Sequence, residues 1–357
     1  MSELISRAFE QWQPASNFLT IKTLDCHTGG EPLRIITQGF PELVGNSVLE
    51  KRRYCMENFD HLRTALMFEP RGHADMYGVL ITEPERDDSD FGAIFIHNEG
   101  YSTMCGHAII ALSKFAVESG LVKRTGTHTE VRIDAPCGLI VAQAKSDENG
   151  QVTETSFDCV PSFVALQDAI VKVPELGDVR FDLGYGGAFY AYVEAADVNL
   201  KCDETHYSEL IRKARLIKQA VNEQFEITHP YEEDLSFLYG VIFVEPQALF
   251  VESHNQTELH SRNVCVFAEG EVDRSPTGSG VSGRAAIHHL RGELALEQPI
   301  TIASILDSRF NVQVQQTLDY GPHKAIIPRV TGSAHIAAKC EFIIDPNDPL
   351  KDGFIFR

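Results

Sequence analysis

The segment that decides the fold is residues 100–119, GYSTMCGHAIIALSKFAVES. Apolar side chains recur at helical spacing from Ile109 to Ala116, and Gly120 then ends the pattern. This spacing predicts a helix from Gly106 to Ser119. Cys105 stands directly before it, so we expect the thiol at a helix N-terminus.

A second segment has the same form. Residues 273–284, DRSPTGSGVSGR, predict a turn that leads into a helix over Gly278–His289. Thr277 precedes its Gly as Cys105 precedes Gly106, and the offset is 277 − 105 = 172 in a chain of 357 residues. An offset near half the chain is what a duplication with a site between two halves would produce.

The rest of the chain predicts short strands with turns between them. Segments rich in Val, Ile, Phe and Tyr, such as 18–24, 92–96 and 238–244, are bounded by Gly, Pro, Asn and Asp. A third helical pattern covers 207–224. Strands and helices do not alternate regularly, which disfavours a doubly wound parallel sheet and favours an α/β (α+β) protein with mostly antiparallel strands.

Composition excludes several classes of protein. A mass of 39.7 kDa suggests about two domains. The chain has 31 basic and 51 acidic residues, a net charge of −20, which argues against nucleic acid and anionic membranes as partners. The longest apolar runs are far too short to cross a bilayer, and residues 1–18 do not resemble a secretory signal, so we expect a cytoplasmic protein.

The eight cysteines contain no C-x-x-C pair, which makes a zinc site improbable, and we expect reduced thiols. Cys26-His27 lacks further ligands at suitable spacing, so no metal is expected. The sequon Asn255-Gln256-Thr257 is interpreted as a chance occurrence.

Cys105 has two interpretations. Unpaired N–H groups and the positive end of the helix dipole favour a thiolate and can bind a carboxylate, and Gly106 allows a ligand close to the backbone. The alternative is a buried structural cysteine. The segment at 273–280 likewise fits either an anion site or a plain helix start capped by Ser275 or Thr277.

The pattern Gly278-Ser279-Gly280-Val281-Ser282-Gly283 matches G-x-G-x-x-G, which is typical of dinucleotide sites. That motif needs a strand running directly into its first glycine. Here a polar loop with Pro276 intervenes, so we do not expect a nicotinamide cofactor.

Five segments together resemble the proline racemase family, which has the diaminopimelate epimerase-like fold. They are HTGGEPLR at 27–34, EPRGHADMYG at 69–78, NEGYSTMCGHA at 98–108, DRSPTGSGVSGR at 273–284 and DPNDPLKDGFIFR at 345–357. The resemblance implies two similar halves, each a central helix wrapped by mostly antiparallel strands. Residues 1–148 and a C-terminal strand at 338–357 would form the half carrying Cys105, and 149–337 the half carrying Asp273 and Thr277.

In racemases of this family, two cysteines flank the substrate α-carbon. Cys105 matches the first, but Thr277 occupies the second position. A threonine hydroxyl is too weakly acidic to be a base at neutral pH. This departure is typical of the branch that dehydrates trans-3-hydroxy-L-proline, and it implies a cofactor-independent hydro-lyase acting on a small amino acid. A proline or hydroxyproline racemase or epimerase remains the alternative, and a non-catalytic amino-acid-binding protein is a second.

The stereochemistry of that substrate agrees with one base. The 3-hydroxyl and the α-hydrogen lie on the same face of the ring, so a syn elimination needs catalytic groups on one side only. The product is an enamine that tautomerises to 1-pyrroline-2-carboxylate.

The resemblance also implies roles for individual residues. Cys105 removes the α-proton, Asp273 pairs with the ring ammonium, and Thr277 contacts the substrate. His107 helps to orient the amine. The carboxylate is bound by the N–H groups of Gly106, His107, Gly278 and Ser279, which also stabilise the charge that develops there. No cofactor is expected, and the family resemblance implies a homodimer.

Overall fold

The computed structural model describes residues 3–246 and 260–356, so the sequon at 255–257 lies outside the described residues. The helices are α1 (Glu3–Gln11), α2 (Val48–Asn58), α3 (Asp60–Met67), α4 (Gly106–Ser119), α5 (Tyr207–Gln224) and α6 (Gly278–Leu290). The strands up to residue 194 are β1 (Leu19–Thr28), β2 (Glu31–Gln38), β3 (Tyr77–Thr82), β4 (Phe91–His97), β5 (Gly100–Ser102), β6 (His128–Ala135), β7 (Gly138–Ser146), β8 (Val152–Asp158), β9 (Ser162–Val173), β10 (Gly177–Tyr185) and β11 (Phe189–Glu194). The strands after it are β12 (Leu238–Pro246), β13 (Ser261–Phe267), β14 (Glu271–Val272), β15 (Ile300–Ala303), β16 (Arg309–Tyr320), β17 (His323–Gly332) and β18 (Ala334–Ile344).

Strands β1–β8 and β10–β17 pair in the same order. In each series the first two strands are antiparallel, the second and third are parallel, and the third and fourth are antiparallel. The fourth strand pairs with the short fifth strand and runs parallel to the sixth. The last pairs, β6–β7–β8 and β15–β16–β17, are antiparallel. This repeat is the two-halved architecture that the sequence predicts.

The ninth strand of each series pairs with the first strand of the other series. Strand β9 pairs with β10, and β18 pairs with β1 in a register that joins Leu19 to Ile344. The C-terminal strand therefore covers Ala334–Ile344, and residues 345–356 contain turns and a β-bridge from Phe354 to Glu69, so its predicted extent of 338–357 is wrong. The predicted boundary at 148/149 falls between β7 and β8 and stays a prediction.

Helices occupy the parallel connections, because parallel neighbours need a crossover. Helices α2 and α3 join β2 to β3, and α5 joins β11 to β12. Helix α4 lies between the parallel strands β4 and β6, and α6 between β13 and β15. Every residue of Gly106–Ser113 and of Gly278–Ile287 is buried, as expected for helices enclosed by strands.

The helices that the sequence predicts agree with the structure, since α4 and α5 have the predicted bounds and α6 is one residue longer. Helices α1, α2 and α3 were not predicted. Helix α2 buries Lys51 and Arg52, whose polar ends reach the Glu83 and Tyr101 carbonyls, so its buried face is not apolar in sequence. A capping box between Ser47 and Glu50 marks its start and was the available signal.

Candidate active site

The N-termini of α4 and α6 meet at two glycines. A Cβ on Gly106 would lie 2.4 Å from the Cα of Gly278, and a Cβ on Gly278 would lie 2.5 Å from the Cα of Gly106. Real Cβ atoms do not approach carbon this closely, so the contact requires glycine on both sides. The predicted juxtaposition of the two motifs is present in the structure.

Both helices present free N–H groups at this junction. The first intrahelical bonds run from Ile109 N–H to Cys105 O, at 3.0 Å, and from Val281 N–H to Thr277 O, at 2.7 Å. The N–H groups of the preceding residues therefore have no intrahelical acceptor. They include the N–H groups of the four predicted carboxylate-binding residues, Gly106, His107, Gly278 and Ser279, whereas the Ala108 N–H points at the Cys105 sulfur.

Cys105 is the N-cap of α4 and is 4% exposed. Its Sγ lies 3.2 Å from His107 Nδ1. Burial raises the thiol pKa well above its usual value, and the Ala108 N–H opposes this. The expectation that the helix N-terminus favours the thiolate is thus wrong, because the loss of hydration on burial outweighs the effect of the helix.

His107 contacts the Cys105 thiol, and its predicted role in orienting the substrate amine stays a prediction. Burial lowers its pKa to about 3, so the imidazole is neutral, and one ring nitrogen donates to the Pro32 carbonyl. The other nitrogen of a neutral imidazole is an acceptor. It faces Cys105 and can accept a hydrogen bond from the thiol.

Thr277 holds the matching position on α6, with φ 67° and ψ 96°. Positive φ is unfavourable for a β-branched residue, so the backbone is strained here. Its buried hydroxyl makes no hydrogen bond within the described residues, although it lies near enough to Asp273 to lower the pKa of that carboxyl. The interpretation of Thr277 as a capping side chain is therefore wrong, and it is the Ser275 Oγ that accepts the Thr277 N–H.

Asp273 supplies a carboxylate to the same cavity. Burial raises its pKa to about 6, and hydrogen bonds from Ser275, whose N–H donates at 2.7 Å, oppose the shift. The loop is attached to the other half by Glu31, whose Oε2 accepts the Arg274 N–H at 2.7 Å. Glu31 lies in the segment HTGGEPLR, in which Gly29-Gly30 forms the turn between β1 and β2.

The cavity between the helices has a volume of about 20 Å³, enough for one water and too small for an amino acid. Its wall contains all seven predicted site residues. Sequence reasoning missed the others: Tyr77, Met104, Tyr190, Tyr239, Cys265 and Phe267. Tyr77 is the penultimate residue of the quoted motif EPRGHADMYG and could have been found there, whereas Tyr239 and Phe267 look like ordinary strand residues.

The model of the family described as "Proline racemase" matches residues 23–355. The chain belongs to the proline racemase family. Its member "Trans-3-hydroxy-L-proline dehydratase" from Colwellia psychrerythraea is 57% identical over 98% of this chain and 97% of that protein. The "3-hydroxyproline 2-epimerase" of Burkholderia multivorans is 44% identical over 95% and 98%.

The family's fold is also seen in a solved relative. The crystal structure of a hydroxyproline epimerase from Agrobacterium vitis, with bound trans-4-hydroxy-L-proline, superposes with a TM-score of 0.89. The two chains share 26% identity, and 96% of each is covered. The predicted fold class is confirmed.

Three other features bear on dinucleotide, membrane and metal binding. In this member of the proline racemase family, Gly278–Gly283 forms the first turns of α6, and no strand runs into Gly278. Within residues 3–246 and 260–356, no helix is long and apolar enough to cross a bilayer. The same ranges contain no cluster of three or more His, Cys, Asp or Glu placed to hold a metal.

Proposed function

We propose that this protein is a trans-3-hydroxy-L-proline dehydratase, which removes water to give 1-pyrroline-2-carboxylate through an enamine. The observation that carries the proposal is the asymmetry of the two helix N-termini. One presents the Cys105 thiol and the other presents the Thr277 hydroxyl. One residue of suitable acidity on one face of the substrate suits a syn elimination and not a two-base inversion. The 57% identical relative with this name supports it.

The helix N-termini bind the substrate carboxylate. The N–H groups of Gly106, His107, Gly278 and Ser279 converge where the two helices touch. As the α-proton leaves, negative charge moves onto the carboxylate, and these fixed donors stabilise it most strongly in the transition state. These four N–H groups, which we call the carboxylate cradle, therefore lower the barrier to removal of a proton from a weakly acidic C–H.

Cys105 removes the α-proton, and Asp273 binds the ring ammonium. Both groups are buried, and burial raises both pKa values. A bound ammonium adds a positive charge to the cavity, which favours the ionised form of each group. His107 Nδ1, 3.2 Å from the sulfur, is placed to accept a hydrogen bond from the thiol and to orient the Cys105 side chain. Thr277 contacts the opposite face of the ring.

The substrate enters by separation of the two halves. The cavity of about 20 Å³ is too small for an amino acid, so the N-termini of α4 and α6 must part before the substrate can bind. Closing around the substrate then excludes water and strengthens each electrostatic contact.

Proton NMR in deuterated water tests the proposal. Separate samples contain trans-3-hydroxy-L-proline, trans-4-hydroxy-L-proline and L-proline. Loss of the 3-hydroxy substrate with appearance of 1-pyrroline-2-carboxylate, and no inversion of the others, is the expected result. Deuteration with inversion at the α-carbon and no dehydration would establish an epimerase or racemase instead, the activity in the name of the Burkholderia relative.

We also propose a cytoplasmic homodimer. All eight cysteines are free thiols, as a reducing compartment requires. Dimerisation rests on the family resemblance alone. Sedimentation at micromolar concentration tests the dimer, and fractionation of cells from the source organism tests the compartment; a monomer or an oxidising compartment would contradict the respective part.

A further inference from the structure

Two buried tyrosines put hydroxyl groups into the site cavity, one from each half. Tyr77 begins β3 and Tyr239 lies in β12, and they are 3% and 6% exposed. Their hydroxyl oxygens are 3.5 Å apart. The Tyr77 hydroxyl also lies close enough to the Cys105 sulfur to lower the thiol pKa. Neither phenol hydroxyl has a role among the steps proposed above for Cys105, His107, Asp273 and Thr277.

The two rings are held by stacking. Tyr77 packs edge-on against His107, with ring centres 4.8 Å apart, and stacks on His97 at 5.5 Å. Tyr239 stacks on Phe267 at 5.3 Å with an interplanar angle of 22°. Aromatic contacts of this kind fix ring positions, so the hydroxyls are fixed relative to the sulfur.

The two phenol protons are donors that a ligand in the cavity can receive. Ser102 lies near both phenols, and its own hydroxyl donates to the Met104 carbonyl at 2.7 Å, so toward the phenols it can only accept. The two phenol oxygens are 3.5 Å apart, which is long for an O–H···O bond, so the Tyr77 O–H can turn to the oxygen of a ligand. Burial raises the pKa of both tyrosines well above 10, so both stay protonated.

We infer that Tyr77 is the acid that protonates the departing 3-hydroxyl, and that Tyr239 is a positioning residue that orients the Tyr77 O–H. The inference rests on the proposed function and supplies the acid that the dehydration needs. In trans-3-hydroxy-L-proline the α-hydrogen and the hydroxyl share a face. Cys105 and Tyr77 lie side by side, so each meets one of the two groups.

The step balances without a co-reactant. The Cys105 thiolate takes the α-proton and becomes a thiol, and the C–H electron pair forms the C2=C3 double bond. The C3–O bond breaks while the Tyr77 proton moves to the oxygen, which leaves as water. The tyrosinate then takes the proton from the adjacent Cys105 thiol, and this restores both groups.

The test compares Tyr77→Phe, Tyr239→Phe and Tyr185→Phe with the unmodified protein. Two quantities are measured: turnover of trans-3-hydroxy-L-proline, and the inhibition constant of L-proline, which lacks the 3-hydroxyl. Tyr185 is a matched control because it is also a buried phenol, its hydroxyl has no partner in the described chain, and it does not line the cavity. Tyr77→Phe keeps the ring and removes only the oxygen.

We expect Tyr77→Phe to lower kcat by about 100-fold or more, the usual loss when a general acid is removed, while L-proline inhibition stays within about threefold. Tyr239→Phe lowers kcat less, and Tyr185→Phe leaves both quantities unchanged. Turnover of Tyr77→Phe within threefold of the unmodified protein would overturn the inference. Cys105, protonated by the α-proton, would then be the acid that protonates the leaving hydroxyl. Equal loss of L-proline binding would also overturn it, since that marks a structural role. Failure of the unmodified protein to dehydrate would instead refute the proposed function, and the inference with it.

Discussion

The N-termini of α4 and α6 occupy equivalent places in the repeat but differ in what they present. Cys105 has ordinary extended backbone, φ −144° and ψ 100°, and its sulfur contacts a neutral histidine at 3.2 Å. Thr277 has the strained φ of 67°, and its hydroxyl has no hydrogen bond within the described chain. The donors for a carboxylate are present on both helices.

This contrast separates binding from chemistry. In the proposed function, the duplicated backbone supplies the carboxylate-binding N–H groups twice, whereas the proton chemistry depends on one side chain at each N-terminus. A single Cys-to-Thr difference would then change the reaction class and leave the substrate class in place. Four predictions test that separation.

The largest effect is expected from Cys105→Ser. A serine hydroxyl is far less acidic than a thiol, so turnover of trans-3-hydroxy-L-proline falls by about 10³-fold or more, while binding of L-proline persists because the cradle is intact. The control is Cys202→Ser, a buried cysteine bonded to the Phe243 carbonyl away from the cavity. Steady-state turnover and inhibition by L-proline measure both quantities; turnover retained by Cys105→Ser would show that another group is the base.

Gly106→Ala tests the cradle rather than the chemistry. The new Cβ would lie 2.4 Å from Gly278 Cα, so the helices must separate and the four N–H groups no longer converge. A displacement of this kind costs about 100-fold in turnover and about 1–3 kcal/mol in unfolding free energy. Denaturant unfolding and L-proline binding measure the loss, and Gly278→Ala should reproduce it. Unchanged binding in both variants would contradict the proposed carboxylate site.

Thr277→Cys tests the asymmetry directly. A second thiol on the opposite face supplies the missing base, so α-proton exchange with inversion appears for L-proline, from undetectable to measurable. Thr277→Ser is the control, because it keeps a hydroxyl. Chiral chromatography after incubation in deuterated water detects D-proline; its absence from the Thr277→Cys reaction, with folding intact, would show that more than this position separates the two reactions.

The smallest effect concerns pH. An ordinary aspartate titrates near 4, but burial raises the pKa of Asp273 to about 6. Below that pH the group is neutral and no longer attracts the ring ammonium, so kcat/KM falls about tenfold per pH unit below about 6 and levels off above it. In Asp273→Asn, kcat/KM is lower at every pH, and its fall below about pH 6 disappears. A fall of kcat/KM centred near pH 4 in the unmodified protein would show that another group binds the ammonium.

The sequence predicted the two site helices well because periodicity, a terminating glycine and a polar N-terminal motif agree there. It failed for α2, since Lys51 and Arg52 are buried through backbone contacts that no apolar pattern reveals. The sequence did not predict Tyr239 as a site residue, because tyrosine is common in strands and only the fold brings this one to the site cavity. The prediction of a thiolate at Cys105 was wrong because a rule about helix ends does not include burial by the other half of the molecule.

The crossing of β9 and β18 has a consequence for synthesis of the chain. Strand β9 is followed at once by its partner β10, so the second repeat can complete its sheet locally. Strand β1 must wait for β18, which is 344 − 19 = 325 residues away at the outermost pair. At translation rates of about 5–20 residues per second, the edge of β1 stays unpaired for tens of seconds. During that interval the nascent chain displays an open strand edge, which makes this edge the expected place for a chaperone to act.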